Sequence, residues 1–411
     1  MNPGSHGPGA LAATPVRQIF LGFVVAYFLA ALLRAITATL APAFSAELGL
    51  GAADLGLLAG AYFFGFALLQ LPMGSALDRF GPRRVQFWLM LLAVAGCALF
   101  AMAPSLGWLL AARMLIGMGL AACLMAPLTT FRRHFGPAAQ LRANSWMLMT
   151  GSVGMLASTL PVQWLLPSLG WRGLFLALAG ALAAAALVMW RLTPGDAAAV
   201  ATDGSAGSAS DAGYREILRH PLFLRLAPLA FVQYGGLIAV QALWAGPWLT
   251  EVTGLSPTGA AGGLFLINLS MMVVFGLWGL VMPRLAARGV PVLGVVAWGM
   301  PLPLLGLAAI VVAGPAAGAP AWAAWCVSCT CLSISQPALA QAFPAAQAGR
   351  ALSAYNLVIF SGVFALQWGI GLAVDALQAA GLPPVAAFRA AFGGYGVLGV
   401  LAYGWFLARR A

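Results

Sequence analysis

Residues 74–84 read Gly74-Ser-Ala-Leu-Asp78-Arg79-Phe-Gly81-Pro82-Arg83-Arg84, a cluster of charge and turn residues closing one long apolar run, 54–77, and opening another, 85–103. Each run is close to the roughly 20 residues that a helix needs to cross about 30 Å of hydrocarbon. Gly81 with Pro82 reverses a chain within a few residues. The stretch therefore reads as the tip of a membrane hairpin, with its cations held at one surface.

Composition extends that reading to the whole chain. Of 411 residues, 62% are hydrophobic and 7% charged, and the mean hydropathy is +0.95, where soluble domains are near half apolar and a quarter charged. These values exclude an ordinary cytosolic enzyme, a disordered chain and a nucleic-acid binder, although the net charge is +11. All 20 basic residues are Arg, in short clusters between apolar stretches and not on one basic face. The five cysteines, Cys97, Cys123, Cys326, Cys329 and Cys331, fall inside apolar runs and read as reduced, buried thiols.

Twelve segments are long enough to span: 18–43, 54–77, 85–103, 107–131, 142–165, 172–190, 223–250, 260–282, 291–313, 318–342, 351–375 and 386–408. The first is too long for a signal-peptide core, although Ala41-Pro42-Ala43 imitates a cleavage site. Lipid leaves unpaired backbone groups no partner, and the alternating pattern of a barrel is missing, so an all-α bundle follows. With the N-terminus inside, 16 Arg fall on the cytoplasmic side, two outside (Arg172 and Arg389) and two within spans. The positive-inside rule then places both termini in the cytoplasm.

The chain divides into an N-terminal tail (1–17), a six-helix half (18–191), a Gly/Ser-rich cytoplasmic linker (192–222), a second six-helix half (223–408) and a short tail (409–411). The halves echo one another. Gly74, Arg79 and Arg83 recur as Gly279, Arg284 and Arg288, and Pro42 with Gly49-Leu50 recurs as Pro247 with Gly254-Leu255, all at an offset of 205. Arg142-Ala-x-Ser returns as Arg350-Ala-x-Ser. A parallel repeat of this kind puts a solute site at the interface of the halves.

These residues resemble the major facilitator superfamily over nearly the whole chain. The opening stretch is similar to the family's Gly-x-x-x-Asp-Arg-x-Gly-Arg-Lys motif, and Arg113-x-x-x-Gly117-x-Gly119 to a second one. The resemblance implies an all-α membrane protein of twelve transmembrane helices in two pseudo-symmetric six-helix halves. It also implies a usually monomeric secondary transporter of the bacterial inner membrane that works by rocking. Gly74, Asp78, Arg79, Gly81, Arg83 and Arg84 are then expected to form a cytoplasmic latch, with Asp78 accepting from Arg or from a helix N-terminus. Pro283 replaces the aspartate in the second copy.

Ionisable groups at membrane depth are costly and mark function. Arg34 lies 17 residues past Arg17 and Arg113 lies 19 residues before Arg132; at about 1.5 Å per residue both are expected at a similar height, toward the external half, in antiparallel helices. No carboxylate lies deep in a span: Glu47, Asp54 and Glu251 flank loops, and Asp375 ends the eleventh. Two guanidiniums without a buried counter-ion suggest an anion that arrives as substrate, a small organic anion being favoured. The competing readings are that Arg113 hydrogen-bonds backbone carbonyls of span one and that Arg34 snorkels to the surface.

Tyr27, Gln163, Tyr234, Gln241, Asn268 and Gln367 interrupt apolar runs and are the polar residues expected to complete the cavity, while Gln233, Gln336, Tyr355 and Asn356 also qualify. Tyr234 and Gln241, seven apart, are expected on one face. Helix-to-helix hydrogen bonding is the plainer role for many of them. Cys326-x-x-Cys329-x-Cys331 and Met114-x-x-x-Met118 raise a copper importer as a rival reading. An exporter of drug-like or amphipathic compounds is a second rival, and it loses ground with Gly151-Ser-Val-Gly154 in place of a Gly-Pro motif. A transporter-like solute sensor is a third. No nucleophile–base pair or phosphate-cradling loop points to an enzyme, and no cofactor, metal or nucleic-acid partner is expected. The expected partners are an anionic solute, the bilayer and a coupling proton or counter-solute.

Overall fold

The computed structural model describes residues 16–195, 210–289 and 291–409, and among these the regular structure is helical throughout, with no strand. Ten helices are individually long and apolar enough to span, beginning with Val16–Leu48 and ending with Pro384–Ala408. Span two is an eleventh, bent by 42° between Ala52–Leu68 and the following Gln70–Leu77. Span five consists of Pro137–Ala157 continued, after a break at Ser158 and Thr159, by residues 160–169. Gly170, at φ +64°, then turns the chain into span six inside what is otherwise one run, Leu160–Leu192. Among the described residues this division makes twelve transmembrane segments, and the chain is a multi-pass membrane protein. Its outer surface carries large apolar side chains, Trp298 at 88% exposure and Val312 at 76% among them, as suits a lipid-facing surface.

Turn chemistry sets the hairpins. Gly81 has φ +82°, a value open to glycine at little cost, and Pro82 follows at the first turn of Pro82–Met102, where its missing N–H is no loss. Residues 74–84 therefore form the hairpin tip that their sequence predicts. Spans two and four approach to backbone contact: a Cβ on Gly65 would meet the Met114 carbonyl oxygen at 2.3 Å, and one on Gly117 the Tyr62 carbonyl oxygen at 2.0 Å. Close helix contact through small residues is the ordinary way for membrane helices to pack. It fixes the rotation of the two helices that carry Tyr62 and Arg113.

Helices from the two ends of the chain meet along spans one with seven, two with eleven, and five with eight. The tightest seam joins spans two and eleven on the side opposite the chain termini, here the far side. A Cβ on Gly371 would lie 2.4 Å from the Ala52 carbonyl oxygen, and one on Gly56 would lie 2.2 Å from that of Gln367. At the far-side tip, Asp375 of span eleven accepts from the Ala52 N–H (3.1 Å) and the Ala53 N–H (2.8 Å), the first amides of span two. Asp54 accepts from the Gly51 N–H at 3.2 Å, so the N-terminus of that helix is capped twice over. The seam continues inward through the Phe64–Phe364 ring pair and ends near mid-bundle at Phe63, Phe66 and Phe360. The two sets of helices are closed on each other at the far side.

Candidate functional site

Arg34 stands where that seam ends. Its guanidinium lies 6.0 Å from the centroid of the Phe66 ring of span two, and Tyr27, Tyr62, Tyr234 and Cys123, on spans one, two, seven and four, are its electrostatic neighbours. Tyr27 is seated by Gly151 of span five, where a Cβ would come within 2.7 Å of its ring. Arg34 is half-buried. Its Nε has no hydrogen-bond partner, and the same holds for the buried Tyr62 Oη beside it. The groups around Arg34 are phenols, a thiol and phenyl rings, drawn from both sets of helices. The acidic residues Glu47, Asp54 and Asp375 sit at helix ends on the far side.

Arg113 occupies the layer behind. It is 1% exposed, its Nη1 donates to the Leu33 carbonyl at 3.0 Å, and its guanidinium is flanked by the Tyr62 ring at 5.9 Å and the Phe100 ring at 5.7 Å. Of the two readings open for it in the sequence, the backbone contact to span one is the one present here. Leu33 immediately precedes Arg34, so the buried guanidinium clamps the turn from which the half-buried one projects. Tyr62 lies beside both.

The remaining polar residues separate into groups. Gln241 and Asn268 pair with each other, Gln241 Nε2 donating to Asn268 Oδ1 at 2.9 Å and Asn268 Nδ2 to the Leu264 carbonyl at 3.0 Å. Tyr234, expected on one face with Gln241, has Arg34 as an electrostatic neighbour, and three π-helical turns, Ala230–Tyr234, Val240–Trp244 and Trp248–Val252, interrupt span seven. Such turns reset the side-chain register that a regular helix would keep. Gln367 is fully buried with neither amide atom paired, while its backbone carbonyl accepts from Trp244 Nε1 at 3.1 Å. Gln163 is in the far-side part of span five, its Oε1 unpaired. Gln336 with Asn356, and Tyr355 with Ser335, tie spans ten and eleven together at 2.9 Å each. Cys326, Cys329 and Cys331 are buried free thiols, and no group of three or more metal-ligating side chains converges among the described residues.

In the hairpin of residues 74–84, Gly74 is exposed with open space where a Cβ would stand. The Asp78 side chain lies outside the described residues. Arg79 rests 5.1 Å from the adjacent Phe80 ring, and Arg83 4.1 Å from the Trp190 ring of span six, a cation–π contact that holds the loop to its own set of helices. Arg84 is exposed at the head of an apolar groove of about 330 Å³ between spans two and three. Tyr62, Phe66 and Phe360 escaped sequence reasoning because aromatic residues inside apolar runs look like packing. The signal available was a phenol, Tyr62, within the aromatic run 62–66 at the depth of Arg34 and Arg113.

A family model described as Major Facilitator Superfamily matches residues 23–366. Among curated proteins, the niacin transporter NiaP of Acinetobacter baylyi is 31% identical over 126 residues, 30% of this chain and 28% of that one. The 4-hydroxybenzoate transporter PcaK of the same organism is 29% identical over 138 residues, 33% of this chain and 30% of that one. The chain is thus matched over less than a third of the length of these relatives. Solved structures align over nearly all of it. A bacterial homologue of the human lysosomal transporter Spinster, inward-facing and unoccupied, superposes with a TM-score of 0.76 at 18% identity, covering 98% of each chain. The D-xylose–proton symporter gives 0.72 at 15% identity over 96% of each.

Proposed function

The chain belongs to the major facilitator superfamily of secondary transporters, and we propose that its cargo is a small organic anion received by Arg34 at the seam of the two six-helix halves. The observation that carries this reading is the absence, among the described residues, of a counter-charge beside that guanidinium: half-buried at mid-bundle, its Nε unpaired, it has only neutral groups as electrostatic neighbours. A cation at such depth is costly unless a counter-charge visits it, and a guanidinium fork matches a carboxylate in two hydrogen bonds. The names of the two relatives point the same way, since niacin and 4-hydroxybenzoate both carry one carboxylate.

In this reading the termini lie in the cytoplasm of a bacterial inner membrane, which the Arg distribution supports, and the form closed at the far side is then inward-facing. Alternating access then consists of parting spans two and eleven at the far side while the helix ends near 74–84 approach the second half. Gly74 and Arg79 stand at the surface of that loop, ready for the latch role, with Asp78 as its acceptor. Arg113 holds the turn that presents Arg34; Tyr27, Tyr62 and Tyr234 supply hydroxyls to the bound anion. Gln163 and Gln367, with unpaired amide atoms, are the remaining polar groups toward the far side, whereas Gln241 and Asn268 join spans seven and eight.

The test is uptake by proteoliposomes of a labelled panel of organic anions, amino acids, sugars and organic cations. An organic anion is expected to accumulate, and Arg34→Ala to abolish its flux while the thermal midpoint of the purified protein stays put. Undiminished flux in Arg34→Ala, or flux confined to neutral or cationic solutes, rejects the proposal.

A further inference from the structure

We infer that the site takes only singly charged anions, with one carboxylate on Arg34 and a flat unsaturated body against Phe66 and Phe360. This rests on the organic-anion reading above and narrows it.

The charge limit follows from how the two intramembrane guanidiniums are deployed. Arg113 is 1% exposed and already donates to the Leu33 carbonyl, with aromatic rings of Tyr62 and Phe100 on its flanks. That leaves Arg34 as the one cation open to the seam at this depth among the described residues. Around it the hydroxyls of Tyr27, Tyr62 and Tyr234 donate hydrogen bonds without adding charge. One carboxylate on Arg34, with Tyr62 Oη free to donate to its second lone pair, closes both vacancies that the structure leaves unpaired. A second carboxylate would enter a low-dielectric centre with no cation to meet it, and an unpaired buried charge is strongly disfavoured.

The shape preference comes from the wall beside the guanidinium. Phe66 of span two and Phe360 of span eleven meet at 4.7 Å between centroids, and Phe63 stacks on Phe360 at 6.0 Å. The two halves of the chain thus contribute one continuous aromatic surface starting 6.0 Å from the Arg34 guanidinium. A planar ring bearing a carboxylate lays its face or edge on such a surface while its charge reaches Arg34, with the offset or edge-to-face geometry that aromatic pairs prefer.

The experiment is a ligand titration of the purified full chain, read by thermal shift and repeated as flux in proteoliposomes. The probes are 4-methylbenzoate, the size-matched dianion terephthalate, the neutral 4-methylbenzamide and the saturated monoanion 4-methylcyclohexanecarboxylate. Expected are binding of 4-methylbenzoate at least tenfold tighter than terephthalate and 4-methylbenzamide, and several-fold tighter than the saturated ring. Tyr62→Phe should weaken 4-methylbenzoate about tenfold with no change in the unliganded midpoint. Terephthalate bound within twofold of 4-methylbenzoate overturns the charge limit while leaving the anion reading intact, and equal affinity for the saturated ring overturns the aromatic preference. The reading beneath both fails on a different result, tighter binding of the benzamide than of any carboxylate. An unchanged affinity in Tyr62→Phe removes that hydroxyl from the site.

Discussion

Removing the Asp375 carboxylate should open the far side. Asp375 is half-buried at the tip of span eleven and accepts from the first two amides of Ala52–Leu68 at 3.1 and 2.8 Å. An anion at a helix N-terminus is worth about 0.3–1 kcal/mol when exposed and up to about 2 kcal/mol when partly buried; about 1.4 kcal/mol suits this setting. Parting spans two and eleven breaks both bonds and rehydrates both sides, so that energy belongs to the closed form alone. In Asp375→Ala the ratio of far-side-open to far-side-closed molecules should therefore rise about tenfold. Asp375→Asn keeps an oxygen acceptor and loses the charge, so a rise of about threefold is expected, half the free energy. Spin labels on cysteines placed at Ser105 and Ser256, both exposed in far-side loops of opposite halves, report the separation by pulsed electron resonance. The five native thiols are buried and stay out of the labelling. A Ser105–Ser256 distance distribution in Asp375→Ala that superimposes on the parent's would refute the assignment of Asp375 as a closing contact.

Two further outcomes follow from the packing. Gly371→Ala puts a Cβ about where the Ala52 carbonyl oxygen stands, 2.4 Å away, and backbone cannot yield as a flexible side chain would, so spans two and eleven must separate; the same label pair should lengthen, and an unchanged distance with normal flux would show that the seam tolerates a methyl. Arg113→Ala removes the charge-assisted bond to the Leu33 carbonyl, which keeps only its helical partner, a loss of about 1.5–3 kcal/mol; the thermal midpoint should fall, whereas Arg34→Ala should leave it in place. Reduced substrate affinity in Arg113→Ala at an unchanged midpoint would make it a ligand and not a clamp.

The number of crossings was legible because the bilayer imposes it: a span is a length of apolar chain, and length can be counted from residue to residue. Depth was legible for the same reason. Counting from Arg17 and Arg132 sets Arg34 and Arg113 at one level, and in the structure both lie beside the same Tyr62. The fifth and sixth spans were harder to delimit, since Pro161 and Pro167 lie within helix and the chain turns at Gly170 alone. Closure of the far side by Asp375 was invisible in the sequence, where the residue looked like the end of a span. Its partners are backbone amides more than 300 positions away.

Rotation about the helix axis is the quantity that composition and spacing do not encode, and in this protein it decides function. Arg34 and Arg113 have the same side chain at the same depth, yet one projects toward the seam and the other is spent on the Leu33 carbonyl. Which is which depends on where spans one, two and four are pinned, and the pins are Gly65 and Gly117, whose missing Cβ atoms admit the carbonyls of Met114 and Tyr62. In span seven Tyr234 has Arg34 as an electrostatic neighbour, while Gln241, two nominal turns on, reaches Asn268. A glycine contact is therefore as much a part of the proposed binding site as a phenol: enlarging Gly117 would rotate or displace the helix carrying Arg113 and release the turn that presents Arg34, without touching any group proposed to meet the cargo.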